Sequence, residues 1–173
     1  MCIRDSGYRG LSSHGATIGI ILSIILYKIK YKYESVLWIF DRLVIVVAFG
    51  GMLVRIGNFF NSEIVGNYTN SNFGVIFMNR SETLPRHPAQ LYESFGYLIL
   101  FIILYTLYHK TKLRDKKGFF FGFFLIFLFG VRFVVEYVKE SQGGIENYLG
   151  LLTTGQWLSI PFMLIGLIIL LRS

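Results

Sequence analysis

Five apolar blocks, at 10–27, 36–54, 91–108, 118–138 and 156–171, limit what this chain can fold into. A helix that crosses a bilayer needs about 17–25 predominantly apolar residues, and four of the blocks reach that length while the last falls just short. Period-2 alternation, the mark of a transmembrane barrel, is missing. The expected fold is therefore all-α, a polytopic transmembrane helix bundle with five spans. Composition agrees: 54% of the residues are hydrophobic and 16% charged, too little charge to cover the surface of a soluble domain of 173 residues.

The net charge of +7 would suggest nucleic acid in a soluble protein. Here position outweighs the sum. Nine of the 17 Lys and Arg flank the apolar blocks, eight of them in 28–35 (KIKYKYES) and 109–117 (HKTKLRDKK). By the positive-inside rule those two segments are cytoplasmic, and the 55–90 and 139–155 connections face outward. The alternation closes without adjustment, and no nucleic-acid partner is expected. Cys2 is the single cysteine, which excludes an internal disulfide. The opening Met1–Ser6 reads as a foreign leader similar to a translated transposon end, and is set apart from the single transmembrane domain expected over 7–173.

Ionisable side chains inside a span cost about 2.5–3.5 kcal/mol each on insertion scales, so they mark function or a specific partner. Arg132 lies inside the fourth block with Glu136 four residues on, on the same helix face. Two readings stand: an ion pair that neutralises itself, or an arginine about 9 Å below the outer surface that reaches a lipid phosphate. Arg55 ends the second block on the outer side, followed by Asn58 and Glu63, and His14 opens the first block on that side. Alone, each has a bland explanation as an interfacial or capping residue. Together, two arginines, a histidine, Asn58, Glu63 and Glu136 map to one side of the membrane on three helices. Arginine binds phosphate bidentately and keeps its charge at low dielectric, and histidine takes a proton near neutral pH. That set suits a phosphate-bearing lipid. Asp41 and Arg42, near the other end of the second block, read as structural. Gly15 with Gly19, and Gly118 with Gly122, have the spacing of close helix contacts. The 61–85 connection, rich in Asn, Ser, Thr and Gly, reads as irregular.

Five ordered motifs extend this reading. Arg55-Ile56-Gly57-Asn58-Phe59 with Asn61, Glu63 and Gly66 resembles the signature of prolipoprotein diacylglyceryl transferases. Ser13-His14-Gly15 is similar to that family's H-G-G motif, and Arg86-His87-Pro88-Ala89-Gln90-Leu91-Tyr92-Glu93 to its R-H-P-x-Q-L-Y-E segment. Gly130-Val131-Arg132-Phe133 with Glu136 resembles its F-R-x-x-x-E helix, and Gly155-Gln156 with Ser159-Ile160-Pro161 its closing motif. Ala16 replaces the second glycine of H-G-G, and Leu128 stands where the family often has tyrosine.

The resemblance implies a seven-span bacterial inner-membrane enzyme with its site toward the periplasmic leaflet. Its substrates are phosphatidylglycerol and the lipobox cysteine of a prolipoprotein, and its products a thioether-linked diacylglyceryl protein and glycerol 1-phosphate. It implies catalytic roles for His14, Arg55 and Arg132, with His14 as the thiol base. It also implies substrate-binding roles for Arg55, Asn58, Glu63, Gly66, Arg86, Gln90, Tyr92 and Glu136. No metal or organic cofactor is expected. Two upstream helices of the family pattern are not matched, so these 173 residues by themselves are expected to be inactive. A metal-dependent phosphotransferase needs an acidic cluster that the sequence lacks, and a transporter tends to show paired repeats, of which there are none.

Overall fold

The computed structural model describes residues 13–31, 35–140 and 152–173, the first five and the last of the 13–31 stretch as backbone only. Among the described residues there are five long helices: α1 (Ser13–Tyr31), α2 (Val36–Phe60), α3 (Ala89–Lys110), α4 (Phe119–Val135) and α5 (Thr154–Leu171). Short 3₁₀ turns lie at Met78–Arg80, Lys112–Asp115 and Glu136–Val138, the last continuing α4. Among the described residues there are four membrane-crossing helices by length and composition, at Val36–Phe60, Ala89–Lys110, Phe119–Val138 and Thr154–Leu171. The expected first span, α1, is described as a 19-residue helix whose last turn carries Lys28 and Lys30. The fold is a polytopic helical bundle.

α4 packs most extensively on α5, and α2 on α3, while α3 and α2 both also touch α4. α1 meets α2 sparsely. Val44 and Ala48 of α2, Leu100 and Leu104 of α3, and Phe120, Phe124 and Leu125 of α4 form the shared core. Many large apolar side chains point outward instead, among them Val46, Leu53, Val54, Phe95, Ile102 and Leu164. That is the distribution a lipid solvent permits, since lipid tails leave no hydrophobic drive to bury them and packing is won by close contact.

Of the two expected glycine pairs, Gly118 and Gly122 both face α5 closely. A Cβ on Gly122 would meet the Gly166 carbonyl oxygen at 2.8 Å, and one on Gly166 the Gly122 oxygen at the same distance, so α4 and α5 touch backbone to backbone. Gly118 has φ +92° and serves the turn before α4. Among the described residues, nothing lies within 4 Å of a Cβ on Gly19.

At the basic end, Asp41 of α2 is 2% exposed and accepts hydrogen bonds from the Gly118 and Phe121 amides, at 2.6 and 2.9 Å. A carboxylate there satisfies amides that a helix N-terminus leaves open and complements its dipole. Arg42 lies 3.4 Å over the Trp38 ring and donates to the Trp38 carbonyl. The structural reading of both residues holds.

At the other end, 61–88 has no named strand but is stitched by isolated bridges. Gly66 pairs with Lys139, and Arg86 with both Tyr68 and Val75. The amide of Asn67 donates to the Val138 carbonyl at 2.8 Å and that of Glu140 to Val65 at 3.2 Å. Val65 and Phe77 are buried beneath it. The loop thus clamps the chain where it leaves α4, so irregular sequence has become ordered backbone.

Candidate active site

The ends of α2, α3 and α4 that lie under this loop hold a dense set of charges. Arg55, in the last turns of α2, forms an ion pair through Nε with Glu93 Oε2 of α3 at 2.7 Å. Glu93 is 1% exposed. Its second oxygen faces Lys139 Nζ at 3.5 Å, and the same ammonium lies 3.7 Å from Glu136 Oε2. Four side chains from three helix ends therefore alternate in sign. Alternation is what makes such burial tolerable, because a lone charge in this setting costs several kcal/mol.

Asn58 joins the set one turn after Arg55. With its amide turned to satisfy both neighbours, it accepts from Arg55 Nη1 and donates to Glu63 Oε2, each at 3.3 Å. The Glu63 carbonyl takes a hydrogen bond from Gln90, which is fully buried in the first turn of α3. Gln90 thereby ties the start of the loop to the helix that carries Glu93. Ser94 adds a second tie, donating to the Met52 carbonyl of α2 at 3.2 Å. Gly66 is required sterically: a Cβ there would stand 2.6 Å from the His87 carbonyl and 2.7 Å from that of Val138.

Arg132 is half-buried on α4 and, among the described residues, has no carboxylate within the 4.0 Å of an ion pair. The intrahelical pair with Glu136 does not form. Glu136 opens the 3₁₀ turn and lies against Gly155, where any side chain would collide with its carboxylate. Gln156 next to it closes a capping box with Thr153 and donates to the Phe133 carbonyl at 3.3 Å, fixing α5 against this end of α4. Buried Tyr97 lies within electrostatic range of Glu93, Arg55 and Arg132.

The remaining expected residues lie nearby in other settings. Arg86 is 4% exposed, bonded to Glu82, to Glu140 Oε1 and to the Gly66 carbonyl, both of the latter at 3.1 Å, with its guanidinium 3.8 Å over the Tyr68 ring. Its donors face the loop itself. The hydrogen bond from Arg86 holds the Glu82 carboxyl below its ordinary value. Tyr92 is partly exposed, its hydroxyl 3.2 Å from His87 Nδ1. His14 lies in the first turn of α1, and its side chain falls outside the described residues.

Glu93, Lys139 and Tyr97 were not singled out as site residues by sequence. For Glu93 the signal was present: a carboxylate inside a span carries the same insertion cost that drew attention to Arg132. Lys139 follows the fourth block and reads as an ordinary interfacial lysine until its neighbours are known.

Fold and site together define a multi-pass helical membrane protein with an arginine-centred polar site at one end of its bundle. The prolipoprotein diacylglyceryl transferase family model matches residues 3–172. The chain is 46% identical over 164 residues to a phosphatidylglycerol–prolipoprotein diacylglyceryl transferase of Tolumonas auensis, covering 95% of this chain and 62% of that one. It is 43% identical over 164 residues to the protein of the same name from Bacteroides fragilis (94% and 57%), and 38% identical over 164 residues to that of Chloroherpeton thalassium (95% and 60%). This chain belongs to the prolipoprotein diacylglyceryl transferase family. It spans about three-fifths of the length of these relatives.

Proposed function

We propose that the natural protein transfers the diacylglyceryl group of phosphatidylglycerol to the lipobox cysteine thiol of prolipoproteins, the first step of bacterial lipoprotein maturation. It does so in the inner membrane, with the site open to the periplasmic leaflet, as the basic segments at the opposite end of the bundle favour. The observation that supports the reading is Arg132: a guanidinium with no carboxylate partner among the described residues, within electrostatic range of the same Tyr97 as the ion-paired Arg55.

In the reaction the thiol loses its proton and the thiolate attacks the glyceryl carbon of the lipid. The C–S bond forms as the C–O bond to phosphate breaks, and glycerol 1-phosphate departs with a second negative charge. Arg132 and Arg55 meet that developing charge with donors already in place. Asn58 and Glu93 hold Arg55 in position, and Asn58 also links it to Glu63. Thiolate formation needs a base, the role the family resemblance gives to His14. Gly66, Arg86 and Gln90 serve binding by shaping the 61–88 loop. Tyr92, Glu63 and Glu136 line or support the same end.

The test follows thioether product and released glycerol phosphate, using the protein in its full natural length, in membranes, with phosphatidylglycerol and a lipobox peptide. Arg55→Lys and Arg132→Lys should each abolish most transfer. A folded wild type that produces no thioether product would overturn the reading.

A further inference from the structure

An arginine and a glutamate four residues apart on one helix lie on the same face and attract each other. Arg132 and Glu136 have that spacing, in a setting where water screens little, yet they do not pair. Two features draw Glu136 elsewhere. The helix tightens to a 3₁₀ turn at Glu136–Val138, and Lys139 stands at the end of that turn with its ammonium 3.7 Å from Glu136 Oε2.

Lys139 is itself held from outside α4. Its backbone pairs with Gly66, and the residues on either side bond to Asn67 and Val65. Its side chain is 6% exposed. The carboxylate oxygens that face it, Glu93 Oε1 and Glu136 Oε2, are buried and have no hydrogen-bond partner among the described residues. Lys139 is thus the counter-charge to both. Without it, Glu136 has one strong alternative on its own helix face, Arg132.

We propose that Lys139 is a positioning residue that keeps Arg132 free, its ammonium claiming Glu136 and Glu93 so that the Arg132 guanidinium is left for the anionic headgroup of a phospholipid. This deepens the reading above and rests on it. The 61–88 loop, by fixing the Lys139 backbone, becomes part of the lipid-binding apparatus without touching lipid.

The experiment uses the full natural protein in phosphatidylcholine nanodiscs with and without phosphatidylglycerol. Retained phosphatidylglycerol is counted by mass spectrometry, and KM and kcat for it are measured in the transfer assay. Lys139→Met should raise KM about tenfold, lower kcat less, and reduce retention, a size ordinary for coupled charges. Lys139→Arg should stay near wild type. Adding Glu136→Gln to Lys139→Met should lower KM about threefold or more below that of Lys139→Met and recover retention, because the competitor for Arg132 is gone. An unchanged KM and retention in Lys139→Met, or no recovery in the double variant, overturns the proposal. If Lys139→Met does not fold, Lys139→Gln replaces it in both comparisons, with the same expected and overturning results. A wild type that retains phosphatidylglycerol yet yields no thioether defeats the proposed reaction, while the retention comparison still decides the role of Lys139.

Discussion

Two buried carboxylates sit at opposite ends of the bundle and are satisfied by opposite means. Asp41 is held by backbone amides of α4, partners that carry no net charge and cannot leave. Glu93 is held by Arg55 and Lys139, side chains whose own charges remain to be balanced. The amide cap closes its local account and fastens α2 to α4. The ion network runs from Arg55 through Glu93 and Lys139 to Glu136, and leaves Arg132 without a carboxylate partner among the described residues. A membrane helix can therefore carry a carboxylate for anchorage or for function, and the identity of the partner separates the two.

Substitutions at the two sites should separate them. The largest effect is expected at the unpaired end: Arg132→Lys should lower kcat/KM by about a hundredfold or more, a magnitude typical of losing a donor to developing charge, with little change in melting temperature. Glu93→Gln comes next. It leaves two buried cations without their shared counter-charge, so about 3–5 kcal/mol of stability and most transfer should be lost together, measured by thermal unfolding in detergent and by the thioether assay. Asp41→Asn sharpens the contrast. It should cost about 1 kcal/mol, the scale of a lost helix cap, and leave KM for phosphatidylglycerol unchanged; a raised KM would erase the distinction between the two ends.

Two smaller effects bear on the frame around the network. Gly166→Ala should force α4 and α5 apart at Gly122, costing about 1–3 kcal/mol as overpacking does, again by thermal unfolding. The weakest effect concerns the Glu82–Arg86 pair. The folded state holds the Glu82 carboxyl below its ordinary 4.5, so the pair's contribution is complete above that pH and is lost as pH falls through the lower folded value. Amide hydrogen exchange in 61–88 should accelerate below about pH 4.5 in the wild type and show no such step in Glu82→Gln.

Much of this was legible in the chain. The helices fall where the apolar blocks are, and the alternation of ends follows from lysines and arginines at 28–35 and 109–117. Arg55, Asn58 and Glu63 were read together and are found linked. α1 was less legible, because Lys28 and Lys30 fall inside its last turn rather than after it. Arg86 read as a substrate contact, but Glu82, Glu140 and the Gly66 carbonyl surround it; only Glu82 is close in sequence. The Gly118–Gly122 spacing marked a real close contact, with both glycines facing α5, but it could not name Gly166, which lies on that other helix.

By itself the sequence determined that the chain enters a membrane as helices, which ends carry charge, and which residue types wait there. Those properties are sums over neighbouring residues: insertion free energy accumulates along a segment, and loop charge sets its side. Only the tertiary structure decided which cation takes which carboxylate. Within α4 alone Arg132 would hold Glu136. Packing sets Gly155 of α5 against the Glu136 carboxylate, brings Glu93 of α3 to Lys139, and fixes the Lys139 backbone on the 61–88 loop, and at low dielectric a few ångströms of such placement decide the pairing.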